Sequence, residues 1–347
     1  MSENFPYNKL NRELAEAKLA KETFRRITLS FYRYVKISKP ADLRMELFYD
    51  WEPLGVLGRV YVAEEGINAQ VSVPEHNLNV YKTSIYGNPY FKGIPFKIAT
   101  ENEGQSFYKL TIKVKQQIVA DGLKSSDYDV TNVGKHLDSN EWNEAVNNGA
   151  IVVDMRNHYE SEIGHFKNAI LPQAETFREE LPMVKSLLEG QEDENILLYC
   201  TGGIRCEKAS AYLKNEGFNS VNQLHGGIIN YVHEVDKKGL ENKFIGKNFV
   251  FDDRLSERVS DDVVSNCHQC DDSCDEHTNC KNVQCNLLFI QCEKCKQKNN
   301  NCCSPKCIEI VALPLAKQKE LRLKKENKKM FHSHKKTNLR AKFKNNH

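Results

Sequence analysis

Ile196-Leu197-Leu198-Tyr199 runs directly into Cys200-Thr201-Gly202-Gly203-Ile204-Arg205, and a helix-forming run over 207–216 follows. The apolar residues read as a strand buried on both faces. The two glycines read as a tight loop, which the arginine closes where a helix begins. This order builds a site for a reactive thiolate. An ordinary thiol, with a pKa of about 8.5, is mostly protonated at neutral pH. Here a helix N-terminus with free backbone N–H groups favours an anion. Gly202 and Gly203 let successive N–H groups curl inward as an anion nest, and Arg205 adds a permanent charge. A downward shift of about two units corresponds to about 2.7 kcal/mol in favour of the thiolate. Cys200 and Arg205 are therefore the candidate catalytic residues, and Thr201, Gly202, Gly203 and Ile204 the candidate substrate-binding residues.

Outward from this loop the pattern alternates strand and helix. Asp138 with Glu141 offers a capping box for a helix ending near Gly149. Ile151-Val152-Val153 is a buried strand ending in Asp154, a helix is predicted over 177–188, and a strand over 220–224. Gly226-Gly227-Ile228 then opens a helix through Val235. Strands alternating with helices imply a parallel sheet with both faces covered. Ligands of such sheets sit beyond the strand C-termini, which is where Cys200 falls. Asp154 is expected to orient neighbouring backbone, Arg156 and Glu160 to form a structural pair, and His165 to pack rather than act as a base. Cys206 is read as a packed first helical residue, with a resolving thiol as the alternative.

The N-terminal third reads differently. A helix over 10–24 precedes a β-branched and aromatic strand over 27–37, then a helix over 40–51 with Pro40 in its first turn. Short strands over 59–62 and 67–73 flank Glu64-Glu65-Gly66, a helix follows over 74–86, and apolar stretches occupy 96–99 and 107–114. The order β-α-β-β-α-β is that of a ferredoxin-like α+β plait. A polar segment over 120–132 reads as a linker.

At 347 residues, 40% hydrophobic and 28% charged, the chain has the balance of a soluble protein of two or three domains. No apolar run is long enough for a membrane span. Residues 1–26 are charged and lack an apolar signal core, so a cytoplasmic protein is expected. The net charge of +2 is uneven: residues 317–347 hold twelve Lys and Arg against two Glu, a balance of +10 that leaves −8 on the remainder. Such a tail suits a polyanionic partner, or is simply a solvated segment.

Ten of the twelve cysteines lie between Cys267 and Cys307. Without an export signal, metal ligation or redox chemistry is favoured over disulfides. Cys267-His268-Gln269-Cys270 and Cys292-Glu293-Lys294-Cys295 are two CxxC pairs with the spacing of a zinc ribbon. Cys267, Cys270, Cys292 and Cys295 are the candidate ligands of a structural zinc ion. Cys280, Cys285, Cys302, Cys303 and Cys307 supply further thiols, with Cys274 and His277 between. A redox relay serving Cys200 is the first alternative, a disulfide array the second.

Only four residues separate Cys200 from Arg205, against five in cysteine phosphatases. The shorter ring resembles the cradle of rhodaneses, which hold a cysteine persulfide. Asp154-Met155-Arg156, Glu160, Gly164-His165-Phe166 and Ala169 resemble that family's first characteristic stretch, although Val is commoner at Met155. The likeness covers 147–238. Further motifs narrow it: Arg59-Val60-Tyr61-Val62-Ala63-Glu64-Glu65-Gly66-Ile67-Asn68, Lys113-Val114-Lys115 followed by Ile118-Val119, and Phe251-Asp252-Asp253-Arg254. In this order they resemble the oxygen-dependent tRNA uridine hydroxylases, a rhodanese-related family. The resemblance implies an α/β multidomain chain. An N-terminal plait (1–120) would precede a rhodanese domain with a parallel sheet (133–240), a Cys-rich zinc segment (250–312) and a basic tail (313–347). It also implies hydroxylation at C5 of the wobble uridine with molecular oxygen as co-substrate, tRNA as partner, and Cys200 passing through a persulfide or similar sulfur state. No flavin or nicotinamide fingerprint and no His-His-carboxylate iron triad stands out. A sulfurtransferase, moving sulfane sulfur from thiosulfate or a persulfide to a thiol acceptor through a Cys200 persulfide, is the alternative, with a sulfur donor protein or small-molecule thiol as its partner. A third reading is a non-enzymatic RNA-binding or sulfur-sensing protein.

Overall fold

The computed structural model describes residues 6, 11–101, 105–123, 128–323 and 339. Of the basic tail, 324–338 and 340–347 lie outside the described residues. Among the described residues no helix is long and apolar enough to cross a membrane.

The first unit comprises α1 (Arg12–Leu19), β1 (Arg26–Tyr34), α2 (Pro40–Trp51), β2 (Leu57–Ala63), β3 (Gly66–Pro74), α3 (Leu78–Gly87), β4 (Lys97–Ile98) and β5 (Leu110–Val114). Its sheet order is β4-β1-β3-β2-β5, the first four antiparallel as in a plait and β5 parallel to β2. The 107–114 stretch therefore adds a fifth strand to the expected four. Leu43, Leu47, Phe48 and Trp51 recur at helical spacing along α2 and meet Leu29, Phe31, Val60, Val62, Ala69 and Val71 from one sheet face. Because side chains alternate along a strand, the intervening Ser30, Tyr32, Arg59, Tyr61, Asn68 and Gln70 occupy the other face.

That second face meets an α/β unit built from β6 (Lys135–Leu137), α4 (Ser139–Asn147), β7 (Ile151–Asp154), α5 (His158–Ser161), β8 (Gly164–Phe166), α6 (Phe177–Leu187), β9 (Asn195–Tyr199), α7 (Ile204–Asn215), β10 (Ser220–Leu224) and α8 (Gly227–Lys238). The capping box of Asp138 and Glu141 starts α4 as expected. A parallel sheet runs β6-β10-β9-β7. Ile196, Leu198 and Cys200 pack with Leu181 and Ala209 on one side, while Leu197 and Tyr199 pack with Trp142 and Ile228 on the other. Both faces are thus covered, as the apolar run at 196–199 requires.

β8 leaves that sheet to pair with β11 (Phe244–Phe249), which also pairs with β12 (Ser256–Arg258). The Cys-rich segment follows as β13 (His277–Asn279), β14 (Leu288–Ile290), α9 (Glu293–Asn299), α10 (Pro305–Ala312) and α11 (Leu315–Leu323).

A buried ion triad ties the first two units together. Lys208 of α7 places Nζ 2.9 Å from both Glu65 and Asp121, and 3.1 Å from the Val119 carbonyl. Glu65, from the turn between β2 and β3, also accepts the Ile118 N–H at 2.6 Å. The segment read as a polar linker therefore begins with a buried, paired carboxylate. Burial alone would raise the Asp121 carboxyl, but Lys208, the Leu123 N–H and Gln117 bring it below the usual carboxylate range. Stability from this depressed value is present above the unfolded pKa of about 3.9 and is lost as pH falls through the lower folded value. Lys208→Ala leaves the carboxylates without their cation and is expected to cost about 3 kcal/mol at pH 7. Urea denaturation measures it, and the deficit should shrink as the pH falls below about 4.

Candidate active site

Cys200 is the first residue beyond β9, and the chain folds back over it. The Gly203 N–H points at Cys200 Sγ from 3.1 Å, and the backbone N–H groups of Arg205 and Cys206 also hydrogen-bond the sulfur. Gly203 makes this turn with φ +92°. A neighbouring glycine is needed for closeness: a Cβ on Gly227, itself at φ +70°, would stand 2.5 Å from the Cys200 carbonyl oxygen and 2.7 Å from the Gly202 nitrogen. With that approach open, Ile228 N–H and Ile229 N–H cap the carbonyls of Cys200 and Thr201 at 3.0 and 3.2 Å.

Arg205 and Glu160 form a bidentate pair, Nη1–Oε1 2.7 Å and Nη2–Oε2 2.8 Å, with the carboxylate fully buried. The expected Arg156–Glu160 pair is not formed. Arg156 instead donates to Asp154 at 2.8 and 2.6 Å and to the Gly164 carbonyl at 2.6 Å, all inside the protein. Two carboxylates and two guanidiniums were available; the turn after β7 returns Arg156 onto Asp154, while one-turn α5 aims Glu160 at the loop. Asp154 also accepts the Arg156 N–H at 3.1 Å, the backbone-orienting role expected of it. His165 Nδ1 lies 2.9 Å from the Ser161 carbonyl oxygen, in keeping with packing.

The thiol is fully buried within its own cluster, and burial pushes it up. The Cys206 thiol, the Arg205 charge and the loop N–H groups outweigh this and hold Cys200 down at about 5. Cys206 is pushed the other way, by burial and by the neighbouring Cys200, so it stands as a packed thiol donor.

A cavity of about 380 Å³ opens on the loop. Cys200, Thr201, Gly202, Ile204 and Arg205 line it; Gly203 does not, because it turns toward Tyr32 and Gly226. The opposite wall is the open sheet face of the first unit, with Tyr32, Arg59, Tyr61 and Gln70. A third wall is Phe251, Asp252 and Arg254, tied to the first unit by Thr100 Oγ1–Glu257 at 2.6 Å and Asp253 N–Ser106 O at 3.0 Å. Tyr34 donates to the Ile204 carbonyl at 3.2 Å. Sequence reading missed these contributions from the plait. Their signal was the polar and aromatic alternation of Ser30, Tyr32 and Tyr34 on a strand whose other face is apolar.

Eight of the ten C-terminal cysteines sort into two quartets, not one. Cys267, Cys270, Cys292 and Cys295 come together as expected, and Cys280, Cys285, Cys303 and Cys307 form a second group. Within each, the sulfurs lie within 4.8 Å of one another, with Cys270–Cys292 and Cys285–Cys303 at 3.5 Å. Four thiolates 2.3 Å from one tetrahedral ion stand about 3.8 Å apart, so both groups could bind metal. Cys274, Cys302 and His277 belong to neither quartet. The quartets interleave along the chain: the first spans the β13–β14 hairpin, and the second draws Cys280 and Cys285 from the connection between its strands.

A cysteine-and-arginine cradle at the end of a parallel strand, over a sheet covered on both faces, defines a rhodanese domain, and residues 138–234 match the rhodanese-like domain. Residues 26–118 match the UPF0176 acylphosphatase like domain and 245–308 the rhodanase C-terminal. The chain is 55% identical to the tRNA uridine(34) hydroxylase of Leptospira interrogans serogroup Icterohaemorrhagiae serovar Lai, over 94% of this chain and 89% of that protein. It is 47% identical to the protein of that name from Photorhabdus laumondii, over 92% of each. Among solved structures, the rhodanese-like domain of an Anabaena sp. protein matches 33% of this chain and 80% of that one, at 20% identity and a TM-score of 0.27. The chain belongs to the tRNA uridine(34) hydroxylase family.

In the folded protein, alkylation of Cys200 by iodoacetamide, followed by mass spectrometry of its peptide, should titrate with a midpoint near 5. In Gly227→Ala the loop cannot close, and the midpoint should move toward the ordinary thiol value of about 8.5.

Proposed function

We propose that the protein is an oxidoreductase that hydroxylates C5 of uridine 34, the wobble base of tRNA, with molecular oxygen as co-substrate and Cys200 as the working residue. The observation that carries this reading is the three-walled cavity opening on the loop of Cys200, whose sulfur is held down at about 5. Its volume is in the range that takes a small ligand, and a base unstacked from the anticodon loop could enter it. Tyr32 and Tyr61 offer aromatic faces, and Arg59, Asn68 and Gln70 offer polar groups, on a wall facing the loop. The names of the relatives support the substrate. Arg205, fixed by Glu160, holds the loop in shape. The basic tail would meet tRNA phosphates, and a persulfide on a donor protein or small molecule would pass its outer sulfur to the Cys200 thiolate and leave as a thiolate. Residues 1–120, 133–240, 250–312 and 313–347 serve as plait, rhodanese domain, Cys-rich segment and tail of a cytoplasmic enzyme.

The test compares tRNA nucleosides, by mass spectrometry, from cells whose sole copy is wild type or Cys200→Ala. Loss of 5-hydroxyuridine in the variant is expected. Equal amounts, in a strain with no second route to the nucleoside, would sink the proposal. Brisk thiosulfate-to-cyanide turnover with unchanged tRNA would favour sulfurtransfer.

The two thiol quartets suit structural zinc, which would brace a segment whose short elements bury little apolar surface. Elemental analysis should find two zinc ions per chain, falling to one in Cys307→Ala. Strong chelators should lower the melting temperature of the wild type.

A further inference from the structure

Arg205 cannot by itself give the sulfur a net positive surrounding. Glu160 accepts both of its guanidinium N–H groups from a fully buried position, so the pair is neutral overall. Glu180 of α6 is fully buried, and among the described residues neither of its carboxyl oxygens has a hydrogen-bond partner. Burial pushes its carboxyl well up, away from the charged form.

The other cations lining the cavity differ in how they are held. Arg254 is paired with Asp252 and Glu257. Arg59 is exposed. Lys97, from the two-residue strand β4, is only 9% exposed, and no ion pair or hydrogen bond of its ammonium group is found among the described residues. An unpaired buried cation is costly unless an anion comes to it. The Lys97 Cδ passes 3.8 Å from where a Cβ on Gly202 would stand, and its Nζ lies 4.2 Å from the centre of the Tyr32 ring. Glu207 is a nearby carboxylate, but Tyr32, His136 and Gln223 already occupy its oxygens at 2.9, 3.0 and 3.1 Å. β4 is seated on the rhodanese unit: His233 Nε2 of α8 lies 2.7 Å from the Ile98 carbonyl oxygen.

We propose that Lys97 is the counter-cation of anionic sulfur on Cys200, thiolate or persulfide, supplied by the plait across the boundary between the two units. The proposal rests on Cys200 being the working residue. It makes the plait part of the sulfur's activation, so that the full charge balance exists only with the two units docked. Burial brings the Lys97 ammonium down to about 8, against the upward pull of Cys200 and Glu207. The charge is therefore present at neutral pH and lost above about 8. The groups around this pair are Tyr32 from β1, Arg59 from β2, Glu160 from α5, Glu180 from α6, and Arg205, Cys206 and Glu207 from α7. Asp252, Arg254 and Glu257 line the same cavity, His136 reaches it only through Glu207, and His233 meets β4 at the Ile98 carbonyl.

The test is the pH profile of Cys200 alkylation in the full-length protein, with Lys97→Met, Lys97→Gln and Lys97→Arg beside wild type. Loss of the Lys97 charge should raise the midpoint by about one unit in the Met and Gln variants. Alkylation near pH 5 should then be several-fold slower, while Lys97→Arg stays close to wild type. A folded Lys97→Met or Lys97→Gln protein with the wild-type midpoint would overturn the proposal, as would a lowered melting temperature with no change in midpoint. The alkylation readout needs no tRNA. Failure of the hydroxylase reading therefore shows in the nucleoside comparison and leaves this result independent.

Discussion

The buried pair between Arg205 and Glu160 holds the site together. Each charge taken from water is expensive unless its partner meets it with matched geometry, and the two-pronged contact supplies that match. Once it forms, the arginine cannot swing away, so the loop from Cys200 to Arg205 has one shape. Its N–H groups then point at the sulfur whatever the substrate does. Glu160 can play this part because a capping box holds its one-turn helix in place. Asp154 and Arg156, satisfied by each other, leave it free to do so.

The plait contributes more than a wall. Its helices cover one sheet face and leave the other to the rhodanese unit, where Tyr32, Tyr34 and Lys97 reach the cysteine loop. The Lys208 triad fixes this arrangement one turn further along α7. It uses Glu65 from the Glu64-Glu65-Gly66 turn and Asp121 from the connecting segment. A charged cluster at an interface gives direction as well as energy, because any other docking would strand the buried ammonium. The third wall, from Phe251 to Arg254, is placed by β11, which extends the rhodanese unit and hands the chain on to the Cys-rich segment.

Much of this was legible in the residues because it is local. The apolar run at 196–199 followed by Gly202 and Gly203 could hardly be anything but strand, loop and helix. Asp138 and Glu141 cap their own helix, Pro40 starts its own, and each CxxC brings two sulfurs together through a single turn. The fifth strand of the plait was less clear, since 107–114 pairs with β2, some fifty residues earlier. The role of Gly227 was hidden too: its need for a bare backbone comes from the Cys200 loop it touches.

The sequence by itself determined that a cysteine anion would stand at the end of a parallel strand, beside a plait and a thiol-rich segment. Those features follow from neighbours within a few residues of one another. Only the tertiary structure decided which carboxylate would hold Arg205 and which thiols would gather into which quartet. It alone brought a lysine from another unit to the cysteine loop. The physical reason is competition. Several partners of equal chemistry existed for each charge and each thiol, and the choice among them was made by the packing of segments far apart in the chain.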